Sequence, residues 1–502
     1  MQWRKWRTGV MGIALLGGHA AAAAQPQADW REALIADIES MQTVDDANAL
    51  QIGRWAEIGY QEHRSSALLQ ERLAKAGFKI TTPVAGMPTA FVASYGEGQP
   101  VIGILAEFDA LPGLSQAGVP TKQAIDGQAA GHACGHNLLG SGAVLAAVAV
   151  RNWLAANKER GTVRVYGTPA EEGGGGKTYL VRDRVLDDVD VMMNWHPDSY
   201  NAAVTKSNLA LITGKFRFHG YATHASAAPD KGRSALDGVE AMNVMANMMR
   251  EHIGEKSRIH YTITRTNPAP NIVPDFAEVY YFVRDPDAQE AQRLWDRIVK
   301  ASEGAALGTG TTVDHEVLTG HYGYLPNTSL SRISHDNLTR VGGVIYDAQE
   351  MAFAQTLIKS FQQPVPKIDR AREIQPVELE PTDIWTGSSD VGDVSWTVPT
   401  NWIRTATYVP GTSGHSWQAT AASNMSIGLK GMHVAAKTMA LTAIELMLSP
   451  QLVAEVKAEF VERPCARAVA VGARCPDHEP PAGGLDERAR PWLVGADLAR
   501  AR

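Results

Sequence analysis

Thr162-Val-Arg-Val-Tyr-Gly-Thr-Pro-Ala-Glu-Glu-Gly-Gly-Gly-Gly176 runs from a short apolar segment directly into two adjacent carboxylates and four glycines. The β-branched and aromatic residues at 162–166 read as a buried strand, and Pro169 with the glycine run ends it. Glu171 and Glu172 therefore stand just past a strand end, where adjacent like charges repel and glycines weaken any regular element. A flexible acidic loop is one account of this. The other is a cation site, in which one carboxylate binds metal while its neighbour takes a proton from water. Spacing does not decide which glutamate does which.

Two further runs repeat the arrangement. Residues 101–105 lead into Glu107-Phe108-Asp109, and residues 189–193 into Asn194-Trp195-His196. The alanine- and leucine-rich stretch 138–154 reads as a helix between strands. Strands alternating with helices predict an α/β catalytic domain with a mostly parallel sheet, whose sites form beyond the carboxyl ends of the strands. At the entry to that helix, Cys134 and His136 are two residues apart. A thiolate and an imidazole so placed can face one metal ion, and the helix N-terminus favours the thiolate; a structural loop explains the stretch equally. His415 lies in a glycine-rich loop before a closing amphipathic helix at 426–447. A lone histidine after a strand or in a loop is more often structural, so these signals gain weight only by recurring together at strand exits and helix entries.

From residue 209 the texture changes. Strands at 209–219, 259–264, 278–284 and 311–318, with helices at 234–251 and 288–303, give the strand–helix–strand–strand–helix–strand order of a ferredoxin-like α+β unit. It is assigned to residues 208–319, inserted into a discontinuous catalytic domain of residues 28–207 and 320–450. Strand signals resume at 388–400, and the segment 463–502, rich in Pro, Gly, Ala and Arg, reads as a loosely structured tail.

Composition sets the remaining bounds. The 502 residues are 44% hydrophobic and 20% charged with a net charge of -7 and a pI near 6.1, which argues against a nucleic-acid-binding surface. Arg4, Lys5 and Arg7, an apolar run at 10–16 and the alanines at 20–24 form the pattern of a secretory signal peptide over residues 1–24. The run is too short to span a bilayer, so export to the periplasm or medium is expected, with no membrane anchor after cleavage. Losing those three positive charges takes -7 to -10. Of three cysteines, Cys465 and Cys475 lie close together in the tail and either pair or stay separate thiols. Cys134 has no such neighbour, and metal ligation is one reason for an unpaired thiol in an exported chain.

The stretches GILAEFDALPGLSQAG (103–118), GHACGHNLLGSG (131–142), GTPAEEGGGG (167–176), THASAAPDKGRSALDG (223–238), SSDVGDVSWTVPT (388–400) and GTSGHSWQA (411–419) resemble the co-catalytic zinc-peptidase and aminoacylase superfamily, in its Cys-ligand amidohydrolase branch. The resemblance implies two divalent metal ions per subunit, zinc first and manganese or cobalt next, held by Cys134, His136, Glu172, His196 and His415. It makes Glu171 the general base and Asp109 the carboxylate that orients the site. It implies that His224, supplied by a partner subunit, meets the oxyanion, and that Asn271 and Arg284 hold the substrate. It further implies hydrolysis of small N-acyl or N-aroyl amino acids by water activated at the metals, a lid function for the inserted unit, and a homodimer formed through it. A dipeptidase or general aminoacylase on the same fold is the first alternative. A non-catalytic metal- or peptide-binding protein is the second, and the presence of both glutamates and every ligand counts against it. A serine hydrolase is excluded because no Gly-x-Ser-x-Gly elbow occurs. One departure stands out: many relatives place Asp where this chain has Asn137.

Overall fold

The strands read at residues 101–105, 162–166 and 189–193 form the parallel part of a five-stranded sheet. Its order is Lys79–Thr81, Phe91–Glu97, Gly161–Thr168, Val101–Glu107, Val191–Met193. Val101–Glu107 pairs in parallel with both of its neighbours, and all seven of its residues are buried, as expected of a strand covered on both faces. Phe91–Glu97 and Lys79–Thr81 complete one edge in antiparallel pairing, so the sheet is mixed. The computed structural model describes residues 29–470 apart from 363, 380 and 382. The expected leader at 1–24 and Cys475 of the expected cysteine pair lie outside the described residues.

The helix expected at 138–154 is His136–Asn157. By length and composition it is apolar enough to cross a membrane, yet 78% of its most apolar window is buried inside the protein, against the sheet and the helices Trp30–Trp55 and Ser426–Leu448. Each fully buried Leu or Val contributes about 1.5–3 kcal/mol, so this helix is the spine of the main core. Two glycines let it lie close. A Cβ on Gly140 would sit 2.7 Å from the Glu107 carbonyl oxygen, and one on Gly142 would sit 2.9 Å from Met432. The helix start bearing His136 is thereby held against the strand end bearing Glu107 and Asp109.

Residues 210–321 build a four-stranded antiparallel sheet in the order Arg258–Thr266, Phe276–Asp285, Ala210–His219, Thr312–His321. The helices Ala235–Met249 and Ala288–Thr309 pack on it around Phe216, Phe218, Met242, Tyr281 and Trp295. This is the strand and helix order read from the sequence.

Two local expectations need correction. The strand signals at 388–400 belong to a short helix, Val391–Ser395. Val391, Val394 and Val398 are buried in one cluster, at a spacing that suits a helical turn. The strand follows as Ile403–Ala406, parallel to Trp195–Asp198. The expected loose tail from 463 is also wrong at its start, because a helix runs over Pro450–Ala470. Leu452, Val453 and Val456 pack on the main core, and the Glu459 carboxylate accepts from the backbone N–H groups of Thr328 and Ser329 at 2.6 and 2.7 Å. That carboxylate caps the helix Thr328–Val341, satisfying donors that would otherwise lack a partner.

Candidate active site

The glycine run of the opening stretch explains itself in space. Ala170 adopts a left-handed backbone, φ 56°, which is unusual for a residue with a side chain. The N–H groups of Gly174 and Gly175 both donate to its carbonyl at 2.9 Å, and its own N–H donates to the buried Glu62 carboxylate at 2.9 Å. Gly175 is itself left-handed, φ 65°, and a Cβ on Gly176 would lie 2.0 Å from the Pro169 carbonyl oxygen. This tight turn points Glu171 and Glu172 into a cavity of about 790 Å³ that Cys134, His196 and His415 also line.

Ligand-type atoms converge there in three overlapping sets, one made of Glu107, His136 and Glu171 and the other two meeting at Cys134. Cys134, His136 and His196 offer donor atoms within 4.8 Å of one another, and so do Cys134, Glu172 and His415. The sulfur of Cys134 is common to both. It lies 3.3 Å from His196 Nε2, while His415 Nε2 lies 3.3 Å from Glu172 Oε2. The backbone is bent to allow this. Gly135, between the first two candidate ligands, is left-handed (φ 72°), as is His415 itself (φ 55°), and the His415 N–H donates to the Ala133 carbonyl at 3.0 Å. A left-handed histidine carries local strain, of the kind that collects at functional sites.

The orienting contacts are equally specific. His136 Nδ1 is 2.9 Å from Asp109 Oδ1, and Asp109 Oδ2 accepts from the Glu172 N–H at 3.0 Å. Asp109 therefore aligns two candidate ligands at once, as outer carboxylates of metal sites do. His196 Nδ1 faces the Pro197 carbonyl at 2.7 Å, which fixes its proton there and leaves Nε2 free to bind. Glu172 Oε1 is buried without a hydrogen-bond partner, and His136 Nε2 faces the Glu107 carboxylate at 3.0 Å. Electrostatics agree that a cation is wanted. Burial opposes charging of His136, but Cys134, Glu107 and Asp109 outweigh it and hold its pKa well above the usual value. Contacts with Cys134 and Glu172 push His415 up to about 11. Burial, then the charges of Glu107 and Glu172, push the Glu171 carboxyl well above its usual range. Sulfur, imidazole and carboxylate donors with this excess of negative charge fit a divalent metal such as zinc.

Sequence reasoning missed the layer beneath. Lys177 is fully buried, with Nζ 2.7 Å from Glu107 Oε1 and 2.6 Å from Asp390 Oδ1, and Glu107 Oε2 lies 3.0 Å from His136 Nε2. Arg284 lines the cavity, and its Nε is buried without a partner. His224 and Asn271 are not among the cavity-lining residues. They sit together on the other unit, where Ala225 N–H donates to the Asn271 carbonyl at 2.9 Å, and neither is buried.

Asn137 resolves the one departure. Its Nδ2 donates to the carbonyls of Ala49 and Ser423, each at 3.2 Å, where a carboxylate would set oxygen against oxygen. Asn137→Asp is expected to lose about 1–3 kcal/mol, read as a lower denaturant midpoint, with the metal content of the folded protein unchanged.

Comparison with known proteins leads to the same place. Residues 103–440 match peptidase family M20/M25/M40. The chain is 40% identical over 437 residues, 82% of its own length and 90% of the relative's, to one subunit of the p-aminobenzoyl-glutamate hydrolase of Escherichia coli K12. It is 30% identical to the Xaa-Arg dipeptidase of Mus musculus, over 80% of this chain and 86% of that one. In fold it is similar to a dinuclear metal-binding peptidase of Bacillus subtilis from the same family (TM-score 0.54, 16% identity, covering 82% of this chain and 99% of that one). An aminobenzoyl-glutamate utilization protein of Klebsiella pneumoniae gives a TM-score of 0.57 at 16% identity, covering 82% and 98%. A match over residues 103–440 takes in every strand end described above and all five converging ligand-type residues, and so the chain belongs to peptidase family M20/M25/M40 and is a hydrolase of amide bonds.

Proposed function

We propose that this chain is a two-metal amidohydrolase that releases an amino acid from an N-acyl or N-aroyl group, with p-aminobenzoyl-glutamate as the model substrate. One observation carries the reading: two ligand sets share the Cys134 sulfur, and the further carboxylate of Glu171 lines the same cavity outside those two, beside Glu107 and His136. Cys134, His136 and His196 would hold one cation, and Cys134, Glu172 and His415 the other. Bound there, the cations supply the positive charge that makes water acidic near neutrality and polarises the amide carbonyl. Glu171 takes the proton of the attacking water and passes it to the departing nitrogen. Arg284, its Nε unsatisfied in the cavity wall, pairs with the carboxylate of the released amino acid.

His224 and Asn271 reach the substrate from a second copy of the chain, with His224 meeting the oxyanion. Support for a homodimer comes from Val244, Met245, Met248 and Leu307, apolar side chains exposed on the two helices of the 210–321 unit. Such side chains are suited to burial between copies. The leader pattern supports export to the periplasm or medium. Zinc suits the thiolate and imidazoles, and manganese or cobalt the carboxylate and imidazole donors.

Protein purified without added metal is expected to contain two equivalents of divalent cation by elemental analysis. It should cleave p-aminobenzoyl-glutamate faster than dipeptides, lose that activity on chelation, and regain it with zinc, manganese or cobalt. Full activity in metal-stripped protein would end the two-metal reading, and preference for dipeptides would move it to the dipeptidase alternative.

A further inference from the structure

The cavity has a second polar centre that the reaction described above does not use. Arg404 is 6% exposed and lies in register beside His196 on the neighbouring parallel strand. Its guanidinium carbon stands 4.5 Å from the ring centre of Trp385, 5.5 Å from that of Trp402 and 5.9 Å from that of Tyr200. Arg404 pairs with Asp198, whose other oxygen accepts from the Ser199 N–H at 2.6 Å. Trp385 packs edge-on to Trp402, their centres 6.0 Å apart, and Trp402 lies 6.4 Å from the His196 ring. The rings thus run from the cavity mouth to a candidate metal ligand. A recess of about 280 Å³ opens beside the cavity and shares Tyr200, Trp385, Trp402 and Arg404 with it.

A pair serving only packing would not look like this. Trp402 is 2% exposed, yet its Nε1–H has no acceptor, which is uncommon for a buried donor. Trp385, over the guanidinium, remains 40% exposed. Both Asp198 oxygens are engaged, and Asp383, which also lines the recess, is paired with Lys206 at 2.8 Å, so beside Trp402 the groups left to a ligand are donors: the remaining guanidinium N–H groups and the indole N–H. The sides of the substrate follow from proton transfer. On the proposed reaction Glu171 delivers its proton to the departing nitrogen, and Arg284 lines the cavity with it, which places the amino acid on their side. That leaves to the acyl group the wall that carries His196, Trp402 and Arg404.

We propose that the recess walled by Tyr200, Trp385 and Trp402, with Arg404 at its base, is the acyl subsite, and that it takes a flat aromatic acyl group bearing a hydrogen-bond acceptor such as a carboxylate. The proposal rests on the amide-hydrolase reading of the site. Rings stack on the aromatic walls, and the acceptor meets the planar guanidinium in the two-pronged geometry that arginine provides and lysine does not.

The test uses the metal-loaded enzyme with N-acetyl-, N-benzoyl- and N-(4-carboxybenzoyl)-glutamate. The wild type should rank them in rising kcat/KM in that order. Trp385→Leu should lower the benzoyl-to-acetyl ratio about tenfold. Arg404→Lys, which keeps a positive charge beside Asp198 and so protects the fold, should lower the carboxybenzoyl-to-benzoyl ratio about tenfold through KM. Ratios that stay within about twofold of wild type in both variants, or a wild type that favours the acetyl substrate, overturn the subsite. If none of the amides is cleaved, the hydrolase reading fails, and calorimetry with free terephthalate and benzoate decides the subsite separately. Tighter terephthalate binding that Arg404→Lys abolishes keeps it, and equal binding of the two acids sinks it.

Discussion

Glu171→Gln is expected to fold, to keep both metal equivalents, and to turn over about 10²–10⁴-fold more slowly than the wild type. That range is what a positioned general base contributes. The substitution keeps the size and the burial of the side chain and removes only its basicity. Glu171 lies outside the two ligand sets that share Cys134, although it forms a third with Glu107 and His136, so metal content is measured beside the rate. The paired measurement is elemental analysis with single-turnover kinetics. Normal turnover with metal retained would remove Glu171 from the chemistry. A slow variant that had also lost metal would make it a ligand, exchanging its role with Glu172.

The second large effect is on stability. Lys177→Met should cost about 3–5 kcal/mol, because removing one member of a buried charge group strands the others. Here the stranded groups are Glu107 and Asp390, buried at 1% exposure each and held at 2.7 and 2.6 Å by the same ammonium. Denaturant unfolding of the metal-loaded protein reads the loss directly. The combined variant Glu107→Gln, Lys177→Met, Asp390→Asn should recover part of it, since no buried charge of that group then lacks a partner. A single variant as stable as the wild type would show that water reaches this layer.

These two residues mark how far the sequence could be read. Glu171 was visible because two carboxylates beside four glycines have no ordinary structural purpose, and the candidate ligands were visible because each follows a strand or opens a helix. Which glutamate was base and which was ligand came from resemblance, and the geometry that supports it, Glu172 beside His415, depends on a loop more than two hundred positions further on. Lys177, Glu107 and Asp390 were not visible. A buried ion pair leaves no periodic trace, and Asp390 is brought to Lys177 by packing of the short helix at 391–395, which the sequence suggested as a strand. The tail was misjudged for a related reason. Its composition reads as loose, but it continues the helix Pro450–Ala470, which Glu459 ties to the start of a distant helix.

The sharing of Cys134 sets an order of assembly. One ligand set is complete in the chain by residue 196, while the other waits for residue 415, with the whole 210–321 unit made in between. At ordinary rates of synthesis that interval is about 10–40 s. On the proposed reading, Cys134, His136 and His196 are then made while His415 is not. If the two cations bind as proposed, the first to arrive would meet a different protein from the second, and loading during synthesis would be distinguishable from loading the finished chain by the metal pair each gives.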